Sequence, residues 1–224
     1  ADGDTTQNGS NYFLEGGIID GSGIAKGVSV DSGRETAIRN VSIKHTTVGI
    51  HIKKGVNNGS SDCDVYNVNI IGNSASDSVG ILVEGYDNTF TNIRIGCVNV
   101  GVHIRTQANV LRNVHPLFQI SYDNYENSVG FWDEDGNNWY DFCYSDHFRI
   151  GFRLKDGVRS YFNNCFAFWY QTNNGKDFAV EAFHADGKFN SIVRGFRAGF
   201  LSDRPCQMLY EGKEGGTGVF EYVF

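Results

Sequence analysis

His51, His103, Arg153 and His184 stand at matching places in phrases that recur along the chain. An imidazole beside a guanidinium offers a general base next to a cation, the pair needed to draw a proton from an acidified carbon. Asp146-His147, with Arg149 and Arg153 nearby, offers the same combination. The run Asp133-Glu134-Asp135-Gly136-Asn137-Asn138 has the look of a Ca²⁺ loop, although such a site takes roughly six to eight oxygens and a short acidic turn supplies only some of them. Phosphate-cradling glycine motifs, nucleophile elbows and HExxH are absent.

A second group of residues could hold a ligand without reacting with it. Five aromatics precede residue 118, and nineteen lie between Phe118 and Phe183, among them Trp132, Trp139 and Trp169. Phe131, Phe142, Phe152, Phe162 and Phe168 fall at apolar positions of alternating segments and are expected inside. Trp132 sits between inward Phe131 and the acidic run, at the outward place aligned with His51, Leu82, His103 and Arg153. An outward aromatic beside carboxylates and amides presents a flat apolar surface to the C–H side of a sugar ring and acceptors to its hydroxyls.

What must position these side chains is a repeat. The phrase apolar, any residue, Asn or Asp, apolar occurs at Ile38-Arg39-Asn40-Val41, Val65-Tyr66-Asn67-Val68, Phe90-Thr91-Asn92-Ile93, Leu111-Arg112-Asn113-Val114, Trp139-Tyr140-Asp141-Phe142 and Phe162-Asn163-Asn164-Cys165. Its third positions are 27, 25, 21, 28 and 23 residues apart. A second phrase follows each of the first five: Val48-Gly49-Ile50, Val79-Gly80-Ile81, Val100-Gly101-Val102, Val129-Gly130-Phe131 and Ile150-Gly151-Phe152. Alternation gives each segment one inward and one outward face, and the period is too short for a βαβ unit with a full helix. Short strands stacked coil on coil remain. Ile50, Ile81, Val102, Phe131 and Phe152 then form one inward column. The repeated Asn side chains are expected to satisfy backbone groups left unpaired by turns inside the stack, and the Gly of the second phrase to serve a tight turn or close backbone approach.

These phrases in fixed order resemble the pectate-lyase superfold, from Gly16 to Arg197. The resemblance implies an all-β chain, a right-handed parallel β-helix of about eight coils, with residues 1–224 as a single solenoid domain. The superfold hosts polysaccharide lyases, hydrolases and phage tail spikes, and fold alone does not choose among them. The polygalacturonase phrases Asn-Thr-Asp, Asp-Asp, Gly-His-Gly and Arg-Ile-Lys are not present, and neither is the Arg-x-x-Pro-x-x-Arg signature of classical pectate lyases.

Insertions into a solenoid form loops on one face. They run here from Lys53 to Cys63, Gly72 to Ser78 and His115 to Ser128; only the last carries aromatics, Phe118, Tyr122 and Tyr125. The formal charge of −7 disfavours a nucleic-acid partner. Cys63, Cys97, Cys143, Cys165 and Cys206 are dispersed, without CxxC pairs, and read as buried thiols rather than metal ligands. No apolar run is long enough to span a membrane. The start Ala1-Asp2-Gly3-Asp4 carries neither a signal peptide nor an initiator Met, so the chain reads as a module excised from a longer polypeptide.

The chain is also similar to the β-helical carbohydrate-binding modules of bacterial xylan-degrading enzymes. That resemblance implies an extracellular, non-catalytic module for a plant cell-wall polysaccharide, most simply xylan, tethered to a catalytic glycoside hydrolase domain and needing no cofactor. The contacts expected are Trp132, Tyr122, Tyr125, Trp139, Tyr140 and Trp169, with Asp133 and Asp135 accepting sugar hydroxyls. The competing expectations are a lyase or hydrolase working through the outward His/Arg column, and a tail-spike fragment associating through the apolar end Gly218-Val219-Phe220-Glu221-Tyr222-Val223-Phe224.

Overall fold

The computed structural model describes residues 11–56, 59–169, 180–200, 206–221 and 223, with the side chains of 122 and 200 left aside. The described chain winds as a right-handed parallel β-helix with two sheets, one of 14 strands and one of eight, parallel throughout. Each complete coil has three sides. The first and second share the larger sheet; the third is the eight-stranded sheet, which runs from Val28–Val30 through Val48–Ile52, Val79–Val83, Val100–Ile104, Val129–Asp133, Ile150–Leu154 and Val180–Ala185 to Cys206–Glu211.

Between the first and second sides the chain turns a corner without leaving the sheet. Asp64–Gly72, Thr89–Gly96 and Val110–Leu117 each span both sides, bent in the middle. Register places Gly16, Asn40, Asn67, Asn92, Asn113, Phe142, Asn164 and Gly195 at successive corners, and every one is left-handed, with φ between 51° and 73°. This explains the repeated asparagine better than the expected role inside a turn. Asn and Gly tolerate the left-handed region, which costs other L residues roughly 1–2 kcal/mol. The amides sit at the surface and bond one another along the axis: Asn67 Nδ2 donates to Asn40 Oδ1 at 2.7 Å, and Asn113 Nδ2 to Asn92 Oδ1 at 2.8 Å. The pairing also corrects the repeat by one residue in the fifth phrase, because Asp141 stands opposite Arg112 and the corner belongs to Phe142.

A buried ladder, which the repeat phrases do not mark, closes the corner before the first side. Asn88, Asn109 and Asn138 are fully buried. The Oδ1 of Asn88 accepts from Cys63 N at 3.0 Å, that of Asn109 from Asn88 N at 3.2 Å, and that of Asn138 from Asn109 N at 2.9 Å. Ser160 and Ser191 continue it through their hydroxyls. Each rung contributes about 0.5–1.5 kcal/mol, and an orphaned buried donor would cost about 1–3 kcal/mol.

The expected inward column is present: Ile50, Ile81, Val102, Phe131 and Phe152 are paired in register, and Phe183 extends it. Opposite it, the first side contributes Ile38, Val65, Phe90, Leu111, Tyr140, Phe162 and Val193. Where these two columns turn aromatic, the second side turns small, with buried Ser145 and Ala167 and half-buried Ala198. Large rings stack along the axis in the space so released, Phe131 on Phe152 at 4.8 Å and Tyr140 on Phe162 at 4.5 Å.

The glycine of the second phrase answers to close approach, not to a turn. A Cβ on Gly80 would lie 2.5 Å from the carbonyl oxygen of Gly101 in the next coil and would also strike Ile95. Gly80→Ala is therefore expected to lower stability by about 1–3 kcal/mol through forced backbone movement. Chemical denaturation reads this directly, and an unchanged midpoint would contradict it.

Candidate functional site

Along the outward column of the third side, Leu82, His103, Trp132, Arg153, His184 and Tyr210 follow one another in register after His51. The coil spacing of about 4.8 Å brings their flat groups into contact. His103 stacks on Trp132 with centroids 4.2 Å apart and planes 2° from parallel, and the Arg153 guanidinium lies 4.5 Å over the indole on its other side. Both faces of Trp132 are thus taken by its neighbours, and the ring has none left for a sugar.

The histidines are similarly occupied. His51 Nε2 lies 2.8 Å from Glu84 Oε2, and its Nδ1 lies 2.9 Å from Lys26 Nζ. His103 Nε2 contacts Glu134, while Arg105 reaches Glu84 at 3.1 Å. His184 has Glu181 on one nitrogen and Asp186 on the other at 3.2 Å, and Arg153 reaches Asp186 at 3.0 Å. Burial holds the imidazoles of His51 and His103 below their ordinary range, overriding the glutamate beside each. The imidazoles and the Arg153 guanidinium of the column are thus paired with neighbouring side chains, while Trp132 Nε1 is buried without a hydrogen-bond partner among the described residues.

Four expected contacts lie in the interior, which removes them from any surface site. Asp133 pairs with Ile104 and Leu154, an inward place, and its carboxylate is fully enclosed. It accepts from Ser160 Oγ at 2.6 Å, Gly136 N at 2.9 Å, Tyr140 Oη at 3.0 Å and Asn138 Nδ2 at 3.1 Å. Those donors occupy the oxygens that Asp133 would offer a Ca²⁺ loop, and the described residues contain no group of three or more His, Cys, Asp or Glu side chains arranged to hold a metal. Burial drives the Asp133 carboxyl above its ordinary value, against the pull of these donors.

Tyr140 is the inward neighbour that donates to Asp133. Tyr125 packs edge-on to Phe118 at 5.2 Å, so the aromatic insertion folds into the core. Trp169 is buried because Phe166–Trp169 alternates with Phe166 and Phe168 outward, and its Nε1 donates to Phe148 O. Tyr122 begins the short 3₁₀ helix Tyr122–Asn127, and Asp135 lies exposed on the turn after the third side. Strict alternation from Phe131 would have placed Asp133 inside; the acidic neighbours obscured it.

Trp139 has a different fate. It lies on the first side in register between Val110 and Tyr161 and is 40 % exposed, with Tyr161 38 % exposed. The two rings stack at 5.7 Å, 10° from parallel. Each is tall beside a shorter aliphatic neighbour, Val110 before Trp139 and Ile192 after Tyr161. The result is a two-ring ridge with a step at either flank. A groove of about 410 Å³ at the Trp139 step is lined by Val110, Arg112, Asp141 and Asn163; a groove of about 220 Å³ at the Tyr161 step is lined by Arg159, Asn190, Ile192 and Thr217. Tyr161 was missed in the sequence because Phe162 beside it supplies the apolar repeat position. Its offset of 22 residues from Trp139, one coil of the same phrase, was the available signal.

The second side holds a depression of about 300 Å³ over Gly96, edged by Arg94, His115 and Gln119. His115 stacks on Tyr144 at 4.1 Å and lies 3.4 Å from Asp146. At the C-terminal end, Val219–Glu221 is the last strand of the larger sheet, and Phe220 turns toward the core against Phe189 at 4.9 Å. The apolar end is thereby partly spent on the fold. Tyr222 and Phe224 lie outside the described residues. Cys63, Cys143 and Cys165 are buried free thiols, and Cys97 and Cys206 are half-buried. No helix among the described residues is long and apolar enough to cross a membrane. No family model, curated protein or solved structure matches the chain.

Proposed function

We propose that the β-helix binds a polysaccharide through its first side, without covalent chemistry, and that xylan is the first polymer to test. The observation that carries the reading is the Trp139–Tyr161 ridge, whose outer ring surfaces face grooves edged by a guanidinium, a carboxylate and amides. Apolar ring faces take the C–H surface of a sugar; Arg112, Asp141, Asn163 and Asn190 supply donors and acceptors for its hydroxyls. An extracellular setting and a tether to a catalytic glycoside hydrolase domain belong to this reading through the resemblance to xylanase modules.

Calorimetry and affinity electrophoresis on xylan, β-glucan and pectin test it. Trp139→Ala is expected to weaken binding at least tenfold, about 1.4 kcal/mol, whereas Trp132→Ala, whose ring is covered on both sides, leaves affinity unchanged. Absence of binding to every glycan, or equal binding by Trp139→Ala, would sink the proposal.

One observation favours a second reading, a polysaccharide lyase. Among the described residues Arg94 contacts only backbone carbonyls, those of Ile93 at 3.4 Å and Asn113 at 3.5 Å, and stands beside His115 at the second-side depression. A base next to an unpaired cation suits an acidic sugar. That reading requires unsaturated product to form from a uronate polymer, with loss of the reaction in His115→Ala.

A further inference from the structure

Corner positions between the first and second sides obey a rule that one residue breaks, although left-handed His45, Cys97 and His147 serve the corner after the second side. All eight are left-handed, and all but Phe142 are Asn or Gly. Phe142 has φ of 53°, and its side chain is 58 % exposed. It also interrupts the amide ladder, since it stands between Asn113 and Asn164, the positions that an Asn here would bridge. A bulky residue in the left-handed region is strained, and an aromatic ring left in water forgoes its burial. Both penalties fall on one residue, at a place where the rest of the fold uses a residue that avoids them.

The location of the exception is informative. Phe142 directly follows Asp141, which lines the Trp139 groove, and lies three residues from Trp139 on the same coil. At a strand rise of about 3.3 Å per residue, the two positions are roughly 10 Å apart. Backbone strain is one mark of a ligand-gripping site, and exposed Phe142 directly follows a residue that lines the groove built by the exposed indole.

We propose that Phe142 is a ligand contact, the third aromatic of the Trp139 site, and that it carries a bound glycan around the corner across the coil, rather than along the helix axis. This rests on the polysaccharide-binding reading above. Trp139 would take one sugar ring and Phe142 another further along the same chain, with Asp141 between them to accept hydroxyls. The strain at Phe142 is then retained because the contact requires a ring where the fold prefers an amide.

The test is Phe142→Asn, measured beside wild type and Trp139→Ala for thermal stability and for affinity to soluble xylan, β-glucan and pectin. The substitution restores the residue that the corner favours, so its melting temperature is expected to rise by about 2–4 °C, while affinity for whichever glycan binds falls about fivefold to tenfold. Stability and binding thus move in opposite directions, which a loss of fold would not produce. A melting temperature that falls would overturn the inference, since the ring would then be packing for stability. Unchanged affinity in Phe142→Asn, with binding lost in Trp139→Ala, would overturn it while leaving the groove in place. Should Trp139→Ala bind as wild type does, the parent reading fails, and this one with it.

Discussion

Ile81→Asp is expected to leave the chain without a cooperative unfolding transition. Ile81 is fully buried at the centre of the inward column, between Ile50 and Val102 of the flanking coils. Its side chain contributes about 1.5–3 kcal/mol by burial. The replacement loses that contribution and also places a carboxylate where no donor faces it, which adds several kcal/mol. Against a total stability of about 5–15 kcal/mol for a domain, the loss is decisive, and a solenoid whose coils contact only their neighbours has no other route for cohesion across the break. Circular dichroism and calorimetry would show a broad, non-cooperative melt; cooperative melting at the wild-type temperature would contradict the assignment of this column to the core.

Asp133→Ala is the second large effect, and it has the opposite logic: here a buried polar acceptor is the part that must stay. The carboxylate gathers the Ser160 and Tyr140 hydroxyls, the Asn138 amide and the Gly136 N–H. Truncation orphans several of these donors at about 1–3 kcal/mol each, partly recovered by rearrangement, for a net loss of about 2–5 kcal/mol. Asp133→Leu, which copies Leu154 of the following coil, leaves the same donors without an acceptor and is expected to be no better.

The pH dependence carries a sign. Burial raises the folded-state pKa of Asp133 above the ordinary value of 3.8. The native state therefore holds the proton more tightly than the unfolded chain does. The stability that this proton contributes is fully present below pH 3.8 and is lost as pH rises through the folded pKa. The stability gap between wild type and Asp133→Ala should accordingly be widest in acid and narrow as the pH rises through that range. Denaturation midpoints of both proteins across pH read it, and a gap that widens with pH would show the donors outweighing burial.

The architecture was legible because a parallel stack translates sequence spacing into columns. Once Ile50, Ile81 and Val102 are recognised as equivalent, their outward neighbours His51, Leu82 and His103 must also align, and they do. The site was less legible because outwardness is not availability. Trp132 faces out, as its alternation requires, yet the residues one coil above and below cover its two faces. Trp139 faces out beside Val110, and its ring stays open. What separates the two tryptophans is the height of the neighbour one coil away, a quantity that appears only when 21- to 29-residue offsets are fixed in register. Asp133, Tyr140 and Trp169 were misjudged for a related reason: polar or amphipathic side chains were assigned to the surface by type, while the strand's alternation turned them inward and supplied partners there.

By itself, then, the sequence determined the parallel β-helix, the order of its strands and the members of its inward column, since these follow from periodicity and from the pairing of like with like in adjacent coils. Only the tertiary structure decided which outward residues remain free, which asparagines form the buried ladder, and that Phe142 occupies a left-handed corner. Those properties depend on contacts between residues a full coil apart, where a single residue of insertion shifts the partner and a single change of side-chain height opens or covers a ring.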